Sequence, residues 1–318
     1  MIQQISVVMP MYNSARFLRE AIDSVLKQTY QAFELIIVDD GSTDSSLQIA
    51  RDYAQKDGRV RVVAAEHGGI SRTLNRGISC ANGEWIAIME ADDVSLPTRL
   101  QKQTEAASQN PRVVGWGSSC YHINHEGKVL GLKRASPRTE EEFHRLRRTG
   151  TVFVINHPTA FLRKETVLRA GGYDSRFDEA QDLELFDRMA RFGSLLALAE
   201  PLLLYRIHTV SRARVFRQTF ITRYVKARAR AHLAGEPEPS LELFTAEYRN
   251  QPLAVRVHRY MDDLSILYYR QSGLCIGNRE YVKGLYTFAV CALLNPAYLG
   301  HLWNQHFSLS ARRWLQAR

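Results

Sequence analysis

Four short apolar runs limit the folds open to this chain: ISVVMP (5–10), ELIIVDD (34–40), RVRVVAA (59–65) and EWIAIME (84–90). Between them the apolar residues change to helical spacing. Phe17, Leu18, Ile22, Val25 and Leu26 predict a helix over about residues 15–28. Ser42 to Asp44 offer caps for a helix carrying Leu47, Ile49 and Tyr53, and SRTLNRGISCA (71–81) is a further helical segment. Pro97 suits the first turn of another helix. Strands alternating with helices predict an α/β fold with a mostly parallel sheet flanked by helices. In such sheets ligands bind beyond the carboxyl ends of the strands. Here three strand ends carry polar tips: MPMYN, VDDGSTD and EADD.

After about Val113 the alternation loosens. GWGSSCYHI reads as a strand; its Gly115 and Gly117 do not complete a G-x-G-x-x-G, because Cys120 holds the third position. TVFVINHPTAFLRKETVLRAGGYD predicts a strand, a short strand and a helix ending at Gly171 and Gly172. DEAQDLELFDRMARFG predicts a helix with acids at its start, and LLALAEPLLLYRIH a strand. Beyond Ser211 the chain reads as helical. We expect a catalytic domain over 1–210, with a ligand-binding part to about 115 and a second part over 116–210, followed by a helical basic region over 211–318.

The net charge of +9 is unevenly spread. From Pro201 to Gly235 there is no Asp or Glu, while Arg206, Arg212, Arg214, Arg217, Arg223, Lys226, Arg228 and Arg230 all fall in that window. Arg212–Arg230 therefore offers an anionic membrane surface or a lipid phosphate a basic partner, and no nucleic-acid motif accompanies it. Residues 284–311 carry no formal charge, but their continuous apolar part, 285–294, is about half the ~20 residues of a spanning helix. A buried helix is the structural reading, and a helix lying in a membrane interface the functional one. Four separated cysteines form no C-x-x-C pair, and the N-terminus shows neither a basic n-region nor a long apolar stretch. Reduced thiols in a cytoplasmic protein, peripheral at the inner face of the membrane if the basic segment binds lipid, are expected.

Glu90, Asp92 and Asp93 put like charge at the end of an apolar strand. A hard divalent cation would offset their repulsion and accept a diphosphate; an acid-rich helix start is the plainer explanation. Asp39 and Asp40 form a second acidic strand end, where a carboxylate can accept hydrogen bonds from a base N–H or a ribose hydroxyl. Gly68 and Gly69 add flexible backbone beside Arg72 and Asn75. Asp182, at a helix start, is placed to be ionised and to take a proton from an attacking hydroxyl.

In order and spacing, SVVMPMYNSARFLREAIDSVLKQTY, FELIIVDDGSTDSS, GGISRTLNRGI and WIAIMEADDVSLPTRL resemble the opening blocks of family 2 glycosyltransferases of the GT-A fold, the kind that build bacterial polysaccharides and cell-surface glycans. GGYDSRFDEAQDLELFDRMARFG is similar to the family's acceptor-side block and YRIHTVSRA to its tyrosine–arginine–x–histidine ending, so the resemblance covers about residues 4–212. It implies a nucleotide-sugar donor, UDP-sugar first, a Mn²⁺ or Mg²⁺ ion, and a glycan or lipid-linked acceptor. It places Pro10, Tyr12, Asp39 and Arg72 at the nucleotide, Glu90 and Asp92 at the ends of the D-x-D motif that binds ribose and metal, and Asp182 as the base of an inverting transfer. His208 matches a histidine near the metal or diphosphate, and His157 is expected to face the acceptor. Two departures stand out: Glu90 replaces the first Asp of D-x-D, and Gln181 replaces the Glu before the base.

Other chemistries fit less well. A phosphohydrolase built on VDDGST wants D-x-D-G-T, and Val38 occupies the position of the first Asp. A non-catalytic basic module would use the arginine-rich segment and leave the acidic strand ends without a task.

Overall fold

In the computed structural model of the protein, residues 4–151, 155–209 and 211–297 are described. The chain divides into two compact units: Met1–Arg206 with Ile221–Glu238, and Ile207–Phe220 with Pro239–Arg318.

Among the described residues, the first unit is built on a nine-stranded sheet. Its opening half runs β1 (Ile5–Met11), α1 (Ala15–Leu26), β2 (Phe33–Asp39), α2 (Ser46–Lys56), β3 (Val60–Ala64), α3 (Ile70–Cys80) and β4 (Trp85–Ile88). β1 pairs in parallel with β2 and β4, and β2 with β3. Every residue of β1 and β2 is buried, which is why these strands read as unbroken apolar runs rather than alternating ones. α1 buries Leu18, Ala21, Ile22 and Val25 on one face. α3 lies so close to the sheet that a Cβ at Gly77 would come within 2.4 Å of Val8 Cγ1.

The rest of the unit comprises β5 (Val94–Ser95), α4 (Arg99–Gln109), β6 (Val113–Ile123), β7 (Val129–Lys133), α5 (Glu140–Arg148), β8 (Phe161–Arg163), α6 (Lys164–Arg169), α7 (Gln181–Met189) and β9 (Ser194–Arg206). The sheet order is β3-β2-β1-β4-β8-β6-β9-β5, with β7 on β6. β8 joins the two halves by antiparallel pairing with both β4 and β6, while β6 and β9 run parallel. The two-residue β5, which apolar periodicity does not reveal, pairs antiparallel with β9. Pro97 precedes the N-cap Thr98 of α4 rather than standing in its first turn; its carbonyl instead accepts the Thr29 N–H at 2.8 Å. The strand expected at the start of TVFVINHPTAF falls on 152–154, outside the described residues.

His122, on β6, carries a testable consequence of this packing. Its ring lies 5.6 Å from that of Tyr205, its Nε2 is buried without a hydrogen-bond partner, and burial, with Lys133 nearby, pushes its pKa down to about 4. The neutral ring is therefore favoured in the fold. This contribution is fully present above the unfolded value near ~6.5 and is lost as pH falls through about 4. We expect ~1–2 kcal/mol of stability to disappear between about pH 7 and pH 5. Urea unfolding of wild type and His122→Phe checks this: the variant should lose less on acidification, and parallel curves would exclude His122 as the cause.

α8 (Arg212–Ala234) gives its first residues to the second unit and Ile221–Ala234 to the first. In the first unit Arg228 is buried, and donates to Glu184 at 2.8 Å and to Asp187 at 3.3 Å. Arg147 also reaches Asp187, at 2.5 Å, and Arg191 pairs with Glu238. Arg228 therefore leaves the expected membrane-facing cation set: it neutralises two buried acids of α7.

The second unit adds α9 (Leu241–Arg249), α10 (Leu253–Gly277) and α11 (Tyr281–Leu294). Phe220, Phe244 and Tyr248 cluster, with ring centroids 4.9–5.6 Å apart for the Phe220 pairs, and the Arg259 guanidinium lies 3.3 Å above Tyr248. The buried-helix reading of 284–294 is overturned. Leu285, Tyr286 and Leu293 are exposed, and only Gly284, Thr287 and Cys291 of α11 are buried. Residues 298–311 lie outside the described residues. Among the described residues no helix is long and apolar enough to cross a membrane.

Candidate active site

Parallel pairing of β1, β2 and β4 brings their carboxyl ends to one edge of the first unit. A cleft of about 400 Å³ opens there, lined by Pro10 near the end of β1 and Tyr12 just after it, Asp40 after β2, Gly69 and Thr73 of the α3 entry, Glu90 and Asp92 after β4, and Asp178. An adjoining recess holds Arg72, with Asp40, His67, Gly68 and Arg76. Asp39, the last residue of β2, is buried beneath this edge and accepts the Ser42 N–H at 3.3 Å. The strand-tip residues expected at a nucleotide thus share one edge, with Arg72 in the neighbouring recess.

The loops at this edge are tied together. Asn13 Oδ1 accepts the Thr43 N–H at 2.8 Å, and Ser42 Oγ the Asn13 N–H at 3.0 Å. Asp40 accepts from the N–H groups of Gly68 and Gly69 at 2.9 and 3.1 Å. The glycine pair, read from sequence as flexible, is therefore pinned. Gly69 has φ +88°, and a Cβ there would come within 2.6 Å of Asp178 Oδ1, so a side chain is excluded twice over. His67 also bonds Asp40, and its ring stacks on the half-exposed Tyr12 ring at 4.6 Å. Asn75 does not face the cleft: its amide accepts from Tyr173 N–H at 2.8 Å and donates to Tyr173 carbonyl at 2.7 Å.

The three acids after β4 have three different fates. Asp93 is fully buried. Burial pushes its carboxyl well above the ordinary range, Asp92 and Glu90 reinforce this, and the Arg206 N–H, donating at 2.7 Å, opposes it. Glu90 and Asp92 line the cleft and Asp93 does not, which separates it from the cluster in which the sequence grouped the three. Much of the positive charge that the acidic run requires comes from the protein. Arg206, buried at the end of β9, donates to the Asp92 carbonyl at 2.8 Å, the Asn124 carbonyl at 2.9 Å and Glu20 at 2.8 Å, and lies 4.2 Å above Phe17. Arg99, also buried, donates to the Ile88 carbonyl at 2.7 Å.

Glu90 accepts from His157 Nδ1 at 3.1 Å, and His157 Nε2 contacts the Tyr173 hydroxyl at 2.9 Å. Burial alone would lower the pKa of His157, but the Glu90 hydrogen bond and the charges of Asp182 and Glu90 raise it. The same two acids, after burial, push Tyr173 well above its usual value. His157 thus bonds Glu90 and feels the charge of Asp182, the second residue of α7. Asp92 lines the cleft beside Glu90. Exposed His208 follows β9 and belongs to the second unit.

Among the described residues no three carboxylate, imidazole or thiolate groups converge on a ready cation site. The donor set still fits a hard divalent ion. Such ions take one or two carboxylates and complete their shell from water and substrate phosphates, and Asp92 and Glu90 line the cleft side by side. Sequence reasoning missed Arg206 as a buried clamp, Tyr173 as the partner of His157, and the places of His67 and Asp178 at the cleft. The tyrosine–arginine–x–histidine block pointed at Arg206, but no local pattern identifies its partners.

The chain is similar to known proteins over this region. It is 43% identical over 118 residues to the uncharacterized glycosyltransferase EpsJ of Bacillus subtilis, covering 37% of this chain and 34% of EpsJ, so the match spans about a third of that relative. It is 33% identical over 217 residues to the O-antigen biosynthesis glycosyltransferase WbnJ of Escherichia coli, covering 66% of this chain and 82% of WbnJ. Two solved structures share the GT-A-type fold. TarS of S. aureus in complex with UDP has a TM-score of 0.55 at 16% identity, covering 94% of this chain and 92% of that one. The mannosyltransferase PcManGT of Pyrobaculum calidifontis, with GDP-Man and Mn²⁺, has a TM-score of 0.50 at 19% identity, covering 95% and 88%. The Glycosyl transferase family 2 signature matches residues 6–170, more than half of the chain, and on that match the protein belongs to glycosyltransferase family 2.

Proposed function

We propose that this glycosyltransferase moves a sugar from a UDP-sugar to a hydroxyl of a glycan or lipid-linked acceptor, with inversion, in the cytoplasmic assembly of a bacterial surface polysaccharide. The observation that carries the reading is the shared cleft: Pro10, Tyr12, Asp40, Glu90 and Asp92, from three separate strand ends, line one cavity. TarS was solved with UDP and PcManGT with GDP-Man and Mn²⁺, which supports a nucleotide-linked donor and a divalent ion here.

In this reading Tyr12 presents an aromatic face to the base, and Asp39 and Arg72 flank the nucleotide end. Glu90, held by His157, meets the ribose, and Asp92 holds the ion. When bound, Mn²⁺ or Mg²⁺ supplies electrostatic stabilisation to the leaving diphosphate. Asp182 takes the acceptor hydroxyl's proton as the oxygen attacks the anomeric carbon opposite the leaving group. The hydrogen-bonded chain Glu90–His157–Tyr173 lies within electrostatic reach of Asp182. Glu90 is one methylene longer than the Asp it replaces, which suits the reach to His157.

The test is nucleotide release and thermal shift across UDP-, GDP- and dTDP-sugars with Mn²⁺. UDP-sugars should give the largest response, and Asp92→Asn should weaken Mn²⁺-assisted UDP uptake at least about tenfold, or ~1.4 kcal/mol. Wild-type uptake by that variant would remove Asp92 from the ion, and silence with every donor would end the reading.

A further inference from the structure

We propose that the second unit docks on the interfacial layer of an anionic lipid bilayer through the outward face of α11. This inference does not depend on which donor or acceptor the first unit uses.

The helix is packed inside out for a water-soluble protein. Its buried positions are Gly284, Thr287 and Cys291, all small. They meet the small residues of α10: Ser272 donates to the Gly284 carbonyl at 2.9 Å, and Ser265 lies 3.6 Å from Cys291 Sγ. A Cβ at Gly284 would come within 2.6 Å of Ile276 Cγ1, so the two helices could not approach so closely with a larger residue. The large apolar side chains point the other way. Val282 is 86% exposed, Leu293 81%, Tyr286 67% and Leu285 64%. At about 100° per residue, Tyr281, Val282, Leu285, Tyr286, Phe288 and Leu293 fall within one arc of roughly 160°, and the three buried residues lie outside it. Small residues between helices and large apolar ones outside are the arrangement favoured where the surrounding medium is hydrocarbon.

Other features select a lipid surface. The outward arc has tyrosines at two positions, a residue suited to the boundary between headgroups and chains. The described residues of this unit carry nine Lys or Arg against five Asp or Glu, a balance that favours anionic headgroups. α11 has 14 residues, about 21 Å of helix, too short for a ~30 Å hydrocarbon core, so it lies along the interface rather than across it.

Co-sedimentation of the full chain with phosphatidylcholine vesicles, with and without phosphatidylglycerol, tests this. The wild type should bind the anionic vesicles and retain part of that binding at high salt, because inserted apolar surface is not screened. Leu285→Glu combined with Leu293→Glu should reduce the bound fraction about tenfold or more, with donor-dependent thermal shift unchanged. An environment-sensitive dye on Val282→Cys, in a Cys80→Ser background, should shift to the blue only when vesicles are added. The proposal is overturned if the wild type ignores both vesicles, if the double variant binds normally, or if high salt abolishes binding entirely. It is equally overturned if the dye is already protected without lipid, or if the double variant dissolves a dimer seen by light scattering, because the face would then be covered by this chain or by a second copy.

Discussion

Replacing Asp182 with Asn is expected to lower sugar transfer by about 10²–10⁴-fold, the usual contribution of a positioned general base. The substitution keeps the shape of the side chain and removes its ability to take a proton. Asp182 lies one residue into α7, among the helix's free N–H groups, so the amide costs little in local structure beyond a modest dipole interaction of ~0.3–1 kcal/mol. The fold and the donor cleft should therefore survive, and thermal shift with UDP and Mn²⁺ should match wild type. One side effect follows from the network. The Asp182 charge helps to raise the pKa of His157, so its removal should lower that pKa, a change observable by NMR titration of the imidazole. Transfer near the wild-type rate, with donor uptake intact, would assign the proton to another group and sink the mechanism.

Arg206→Ala should strongly destabilise the first unit. The buried guanidinium satisfies the carbonyls of Asp92 and Asn124, pairs with Glu20 and covers the Phe17 ring. Truncation removes one donor from each of these acceptors, the Asn124 carbonyl keeping the Gly127 N–H, and takes away the cation paired with Glu20. Removing one partner of a buried charge network costs about 3–5 kcal/mol, and at about 2–4 °C per kcal/mol the melting temperature should fall by roughly 10 °C. Arg206→Lys should recover only part of this, because an ammonium cannot reproduce the planar fork that reaches three acceptors. Calorimetry of the three proteins decides the matter. A loss under about 1 kcal/mol for the alanine variant would mean that the acidic loop after β4 is held by other contacts.

These two residues show what could be read early. The place of Asp182 in the first turn of α7 was legible because the pattern is local, an acid at a helix start inside a block with family spacing, while its role as base stays a proposal. Arg206 was visible as part of the tyrosine–arginine–x–histidine ending, but its role was not, since its partners lie at positions 17, 20, 92 and 124. The same distinction separates the three acids after β4. Sequence grouped them as one charge cluster, yet Asp93 is buried against Arg206, Glu90 is held by His157, and Asp92 lines the cleft. The basic stretch behaved likewise: along the chain Arg228 is one of several cations, and in space it serves Glu184 and Asp187.

The α/β alternation, the four parallel strands and the polar strand tips followed from the order of residues, because apolar runs and helical spacing act over a few neighbours. Which carboxylate is charged, which cation compensates it, and which way the apolar face of α11 points were decided only by the folded chain. Those properties depend on burial and on partners supplied from far along the sequence, and no local pattern encodes them.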